Sequence, residues 1–468
     1  MKLILGGGVS GLSAAYYLSQ RISPSKIYLV EASNRFGGWI QSKQNGNVLF
    51  ELGPHTIRPK GEPGANTLQL IEQLNLSNEV IPIHTNHPAA KNRMIYVNKE
   101  LHLLPSNLYG ALIKRKPFSK PLLMSVLSEL FQPQKQIPDG DESIYDFIER
   151  RFGKDVAEYA ISPLICGICA GDAKEISVHF LAKSLFELEQ KHGGIIKGTI
   201  KELFQNSKKN KIELCNLAKR AKSEKWSVYS LKSGLETLPL TLVNNLQEKK
   251  VNLIKNSPCT SLEFHDNKIF AKFKDQSLIS DHVISSLLAN KTAPLVEKQH
   301  PELAEYLYGI PSVTVGVVNI EFKGAIKNDK LNAFGFLVPP SQRIPILGII
   351  FDSCCFPSND STVFTVMMGG KWFEEYFGTD PSEQSLLDVS KKYIQEILNI
   401  HNECESYEVN ILKDCIPQYT VGHVQRIQNI YKYIDKHDMP LTLCGTSYSG
   451  VGVNDVILSA KNAVQKVL

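Results

Sequence analysis

Gly6, Gly8 and Gly11 stand in G-x-G-x-x-G spacing between an apolar run, Lys2-Leu-Ile-Leu5, and a helical pattern that starts at Leu12. That spacing serves the binding of a pyrophosphate. The first glycine permits a tight turn, the second lets the backbone approach the phosphates, and the third packs helix on strand. The helix N-terminus adds partial positive charge. Glu31 closes a second apolar run, Lys26–Val30. It lies about 20 residues beyond Gly11, where an acid accepts hydrogen bonds from a ribose diol. The glycine spacing alone is a weak signal, but position, flanking strands and terminal acid agree. Dinucleotide binding is therefore expected.

The chain continues Arg35-Phe-Gly37-Gly38-Trp39. An arginine and a glycine pair just after the ribose-binding acid resemble flavoproteins related to amine oxidases. Near the other end stands a second glycine cluster, Gly445-Thr-Ser-Tyr-Ser-Gly450-Val-Gly452-Val-Asn454-Asp455. It leaves an apolar strand and opens the last helix, with Asn454 expected as its cap. Its N–H groups suit the electron-rich edge of a reduced flavin. Two glycine motifs on one cofactor place both ends in one domain and make the middle an insertion. Cys166-Gly-Ile-Cys169 is a lone CxxC with no second pair, so no metal site is expected.

The elements that must position these residues follow from periodicity. Strand, helix and strand over the first 31 residues form a βαβ unit of a parallel sheet. Residues 107–205 read as mostly helical, 206–225 as a polar, lysine-rich surface connection, and 311–370 as β-rich. A helix near 382–398 and a strand-turn-helix at 441–468 complete the pattern. With 468 residues the chain has room for two to three domains. Its 52 basic against 47 acidic residues give a net charge of +5, too small for a dedicated nucleic-acid binder. The nine scattered cysteines do not suggest a disulfide framework.

The residues resemble the protoporphyrinogen oxidase family of flavoproteins over essentially the full chain. The resemblance is carried by Gly6-Gly-Gly-Val-Ser-Gly-Leu, Val30-Glu-Ala-Ser-Asn-Arg-Phe-Gly-Gly-Trp and Phe50-Glu-Leu-Gly-Pro-His-Thr-Ile-Arg-Pro. His87-Pro-Ala-Ala-Lys-Asn-Arg-Met, Asp414-Cys-Ile-Pro-Gln-Tyr-Thr-Val-Gly-His423 and Gly450-Val-Gly-Val-Asn-Asp455 are the more specific stretches.

The resemblance implies FAD and oxidation of protoporphyrinogen IX by oxygen, with hydride passing to flavin N5 and hydrogen peroxide formed. It implies an α/β + α fold with three parts. A Rossmann-like FAD-binding domain would span 1–85, 210–300 and 410–468. A mixed-sheet substrate domain would span 86–106 and 301–409, and a helical membrane-binding domain 107–209. Cofactor contacts carry over to Gly6, Gly8, Val9, Ser10, Gly11, Glu31, Ala32, Arg35, Gly38 and Trp39. Further on they fall on Gly53, Pro54, His55, Thr56, Cys259, Thr446, Val451, Gly452 and Val453. On the substrate side, Arg93 would pair a propionate, Phe334 and Leu337 would hold a pyrrole ring, and Met367 and Gly167 would line the pocket. His55 and Cys166 stand where mammalian members carry arginines, so positive charge near the cofactor is expected to be absent or pH-dependent. Other flavin oxidases acting on amines or polyenes, and flavin-free escort proteins of the same fold, are the alternatives.

Leu101–Ser128 holds no acid and four cations, Lys114, Arg115, Lys116 and Lys120, among apolar residues. That composition suits a segment lying in an anionic membrane interface. Pro117 and Pro121 argue against one straight helix. Residues 1–30 contain Lys2, Arg21 and Lys26 without an acid, which leads us to expect an uncleaved internal targeting signal. The resemblance adds the outer face of the mitochondrial inner membrane as location and a homodimer, and pathway logic alone adds ferrochelatase as recipient of the product.

Overall fold

The computed structural model describes residues 1–138, 140–204, 213–265, 268–356 and 360–468. The chain folds into two compact units. The first comprises Met1–His84, Glu213–Ser312 and Gln425–Leu468, and the second Thr85–Ile212 and Val313–Val424. Both chain ends lie in the first unit, and the helical stretch around 107–204 groups with the sheet of the second.

The first unit is built on five strands in the order Leu441–Leu443, His282–Ser285, Lys2–Leu5, Ile27–Val30 and Asn252–Ile254, all paired in parallel. Leu3, Ile4 and Leu5 are buried on both faces, which explains why this strand is an unbroken apolar run rather than an alternating one. The chain departs from Lys2–Leu5 to one side first and reaches the other side only with His282–Ser285. The carboxyl end of Lys2–Leu5 is thus a topological switch point, where ligands bind in open α/β sheets. The helices Val9–Ser19 and Val453–Val467 pack on each other, with Ala14, Ala15, Ala460 and Ala463 buried in the same core. Their small side chains allow close approach.

In the second unit seven strands form a mixed sheet. Their order is Cys404–Pro417, Ser312–Lys323, Ser361–Gly370, Ile346–Phe351, Gly335–Leu337, Met94–Val97 and Glu100–Leu103. From Ser312–Lys323 to Gly335–Leu337 each strand runs antiparallel to the next. Gly335–Leu337 then runs parallel to Met94–Val97, and Met94–Val97 antiparallel to Glu100–Leu103. Ser312–Lys323 is buried on both faces. Val313, Val315 and Val317 join one core, while Val318, Ile320 and Phe322 join another. The helical segments include Leu108–Leu112, Leu122–Ser128, Ile144–Phe152, Ser162–Cys169, Lys183–His192 and Ile195–Phe204. Pro117 and Pro121 fall between the first two of these, as their chemistry requires.

Three sequence expectations change. Of the expected polar connection over 206–225, residues 206–212 lie outside the described residues. Asn216–Ser223 is a helix that buries Leu217, Ala218 and Ala221 against the first unit's core. Asn454 does not cap the last helix. Gly452 is the N-cap and its amide donates to Asp455 at 3.2 Å, while the Asn454 amide donates to the carbonyl of Arg58 at 2.7 Å. The 14-residue strand Cys404–Pro417 and the helix His423–Lys436 appear where no element was expected.

Candidate functional site

The glycine loop joins the strand Lys2–Leu5 to the helix Val9–Ser19. Gly8 is the N-cap and supplies no capping side chain, and the first turn carries no acid. The positive end of this helix is therefore not neutralised by its own sequence, as a phosphate site requires. A Cβ on Gly11 would stand 1.9 Å from the carbonyl oxygen of Gly6, so only glycine lets the helix start this close to the strand. Val9 and Ser10 form the helix's first turn, and Ser10 donates to the Cys444 sulfur at 3.5 Å. Glu31, at the end of Ile27–Val30, accepts from the Gly7 amide at 2.6 Å and the Ser33 amide at 2.8 Å. The carboxylate thus stands at the loop, with Ala32 exposed beside it.

Arg35, Gly37 and Gly38 do something more local than the sequence suggested. The Gly37 amide donates to the Gly7 carbonyl at 2.8 Å, so this turn lies directly on the glycine loop. Gly38 has φ +60°, and a Cβ there would approach Gly8 Cα to 2.9 Å. Arg35 holds the turn by donating to the carbonyls of Phe36 and Gly38 and to Glu236, the last at 3.2 Å. Glu236 also accepts from the Ser42 amide at 3.0 Å. Nothing in the local sequence signalled Glu236, because it is 201 residues from Arg35. Trp39 follows the turn with 41% of its surface exposed.

The remaining cofactor candidates lie in the same unit. A Cβ on Gly53 would meet the Trp39 carbonyl oxygen at 2.0 Å. Pro54, His55 and Thr56 follow in order, and His55 is buried. Cys259 begins a strand of the small antiparallel sheet. Burial pushes its thiol up to about 12, so it is a neutral packing group, not a nucleophile. The Ser257 amide donates to the Glu31 carbonyl at 3.0 Å, which ties the approach to Cys259 to the carboxylate end of the loop. The C-terminal cluster is pinned at three points. Gly445 N donates to Ser459 Oγ at 3.2 Å, Ala289 N donates to Ser447 Oγ at 3.0 Å, and Gly452 caps the last helix. Thr446 and Val451 lie between these points, and Val453 begins the helix. The uncapped helix end, the glycine cradle and the acid at the strand end fit FAD.

In the second unit the structure brings the substrate candidates together in two groups. The Arg93 guanidinium carbon is 5.4 Å from the centroid of the Phe334 ring. Arg93 is exposed, and Phe334 is half-buried. A Cβ on Gly167 would stand 2.7 Å from Leu337 Cδ2, so the helix Ser162–Cys169 touches Leu337 through its glycine. Leu337 pairs with Gly348, Gly348 with Met367, and Met367 with Val317. Directly paired residues point to one face. Leu337 and Met367 therefore flank the space left by Gly348, and the row carries no charge.

Cys166 is not a substitute for a charged group. Its thiol is buried and donates to the Gly171 carbonyl at 3.4 Å, and burial pushes its pKa well up. Among the described residues no group of three or more His, Cys, Asp or Glu is placed to hold a metal.

A family model described as flavin containing amine oxidoreductase matches residues 9–468. Protoporphyrinogen oxidase of Homo sapiens is 39% identical over 474 residues, covering 100% of this chain and 98% of the human one. The Bos taurus enzyme of the same name is also 39% identical, with the same coverage. A solved chain from Exiguobacterium sp. 255-15 superposes with a TM-score of 0.80 at 22% identity, covering 100% of this chain and 98% of that one. That likeness supports the fold. The chain is an FAD-binding flavoprotein of the flavin containing amine oxidoreductases and, within them, belongs to the protoporphyrinogen oxidase family.

Proposed function

We propose that the chain, loaded with FAD, oxidises protoporphyrinogen IX to protoporphyrin IX in haem biosynthesis, using three molecules of oxygen and releasing three of hydrogen peroxide. The observation that carries this reading is the juxtaposition of Arg93 with Phe334, in the unit that also holds the uncharged row Leu337, Gly348 and Met367. A tetrapyrrole with two propionates needs both a carboxylate partner and a flat apolar surface. A guanidinium takes a carboxylate through two parallel, charge-assisted bonds. The aromatic ring beneath it holds its plane, and Gly167 against Leu337 offers an apolar surface.

The chemistry FAD supplies when bound is acceptance of two electrons with a hydride from a reduced carbon. The substrate is already reduced, so the chain needs no nucleophile. Its residues orient the macrocycle and exclude solvent. The acid-free, basic stretch 101–128 and the exposed apolar residues near it support docking on an anionic leaflet, and we place the protein at the mitochondrial inner membrane on that ground. A homodimer and delivery of product to ferrochelatase complete the proposal.

The test is direct. The yellow holoprotein, mixed in air with protoporphyrinogen IX, is expected to generate porphyrin fluorescence well above autoxidation. Peroxide should accumulate at about three molecules per porphyrin, the ratio that balances six electrons. Fluorescence no faster than the protein-free control would overturn the reading, and turnover of primary amines instead would favour the amine-oxidase alternative.

A further inference from the structure

The wall formed by Gly167 and Leu337 depends on how the helix Ser162–Cys169 ends. Helix C-termini leave carbonyls without intrahelical partners, so the last turn is set by whatever satisfies them. Here the C-cap is Ala170, a non-glycine residue in the left-handed conformation at φ +51°. A turn of that kind persists where its surroundings determine it. Gln418 supplies much of that determination from more than two hundred residues away. It is 4% exposed, and its Nε2 donates to the Cys169 carbonyl at 2.8 Å and to the Ile416 carbonyl at 3.1 Å. On its other side the amide oxygen occupies the space that a Cβ on Gly171 would need, 2.1 Å from that position. The Lys371 amide donates to the Ala170 carbonyl at 2.9 Å, and the Cys166 thiol donates to the Gly171 carbonyl. Of these contacts, Gln418 is the side chain that reaches the helix end from a separate strand-end segment.

We propose that Gln418 is a positioning residue for the substrate. It fixes the Cys169–Gly171 turn and thereby the height at which Gly167 meets Leu337. The inference rests on the reading of Gly167 and Leu337 as the wall that receives an apolar edge of the tetrapyrrole. A primary amide suits this place because its two N–H groups satisfy two buried carbonyls at once. A carboxylate of the same shape would face both carbonyls with negative charge. A protonated carboxyl could restore one of the two bonds.

Steady-state oxidation of protoporphyrinogen IX by the FAD-loaded full chain tests this. Gln418→Glu is expected to raise KM about tenfold near pH 8.5, with kcat within about twofold and flavin content unchanged, because the displaced turn changes how the wall holds substrate rather than how substrate reacts. Relative to the unmodified protein, at least a threefold part of that KM rise should disappear near pH 6.5, as the carboxyl regains its proton. A KM ratio that stays near one, or a rise that does not respond to pH, overturns the proposal.

Should Gln418→Glu yield no folded holoprotein, Gly171→Ala displaces the same amide from the other side and is expected to raise KM to a similar extent; an unchanged KM there is equally fatal. Gly167→Ala separates the two levels of inference. If it raises KM while both clamp variants leave KM alone, Gln418 is not a positioning residue and the wall assignment stands. If Gly167→Ala leaves KM unchanged, the wall assignment falls and the proposal falls with it.

Discussion

Arg93 shows what a single side chain contributes and how it can be tested apart from folding. It is exposed, it stands over the Phe334 ring, and its backbone carbonyl accepts from the Leu104 amide at 2.8 Å. A lysine at this position would keep the charge. It would lose the planar fork and the stacking on the ring, worth about 0.5–1 kcal/mol at an exposed site. Adding the second charge-assisted bond brings the deficit to about 1.4 kcal/mol, which is tenfold in binding. Arg93→Lys is therefore expected to raise KM for protoporphyrinogen IX about tenfold, with kcat within about threefold and an unchanged ratio of flavin to protein absorbance. A KM equal to that of the unmodified chain would show that the guanidinium does not meet a propionate. Glu31 and the glycines around it act differently. Their contacts are with the chain itself, at the Gly7 and Ser33 amides, so changes there disturb the loop before they disturb any ligand.

The strand His282–Ser285 gives an element-scale prediction, because it carries a histidine into the flavin-side sheet. The His282 ring lies 2.8 Å from Thr442 Oγ1 on the neighbouring strand, and burial, with a lesser contribution from Lys2, lowers its pKa to about 4. The unfolded chain binds a proton here near pH 6.5, whereas the folded one does not until about pH 4. Between those values the unfolded state holds more protons, so stability falls as pH falls, by up to about 3 kcal/mol for this group. Above pH 6.5 the group is neutral in both states and adds no pH dependence. Thermal unfolding should show a lower midpoint at about pH 5 than at pH 7, and His282→Gln should remove much of that difference. An identical pH response in the variant would assign the effect elsewhere.

In the same sheet Lys2–Leu5 and Ile27–Val30 were legible in the sequence, because buried strands of a parallel sheet are short apolar runs with turn residues at their ends. Cys404–Pro417 was not. It lies at the edge of its sheet, most of its residues are only partly covered, and Glu405, Glu408 and Lys413 interrupt any apolar pattern. The helix His423–Lys436 did leave a signal, in the spacing of Val424, Ile427, Ile430 and Ile434. At the site, motif spacing located the glycine loop and Glu31. No local pattern could pair Gly167 with Leu337 or Arg35 with Glu236, since those contacts arise from packing between distant segments.

The whole molecule carries a net charge of +5 and, among the described residues, no helix long and apolar enough to cross a membrane. Yet Leu108, Tyr109, Met124, Leu130, Phe131 and Phe204 are all exposed, the two phenylalanines by 86% and 85% of their surface. They belong to neighbouring packed elements, Leu108–Leu112, Leu122–Ser128, Glu129–Phe131 and Ile195–Phe204. The group is tied from beneath. Glu129 accepts from the buried Arg151 and from the amides of Ile195, at 2.7 Å, and Ile196, at 3.1 Å. A buried charged network of this kind makes the apolar side chains a fixed surface rather than a collapsed one. Lys114, Lys116, Lys197 and Lys201 are exposed around it.

Soluble proteins rarely leave so many large apolar side chains uncovered in neighbouring elements, and our proposal is that an anionic leaflet, attracted by the cations, covers them. Burying each phenylalanine in the interface contributes about 1.5 kcal/mol at the low end, or roughly tenfold in affinity. The purified holoprotein should therefore sediment with cardiolipin-containing liposomes and much less with phosphatidylcholine alone. Combined Phe131→Asp and Phe204→Asp should weaken that binding about 100-fold or more while leaving flavin content unchanged. Equal sedimentation with both lipids would remove the electrostatic part of the reading. Undiminished binding by the double variant would show that this apolar surface does not meet the bilayer.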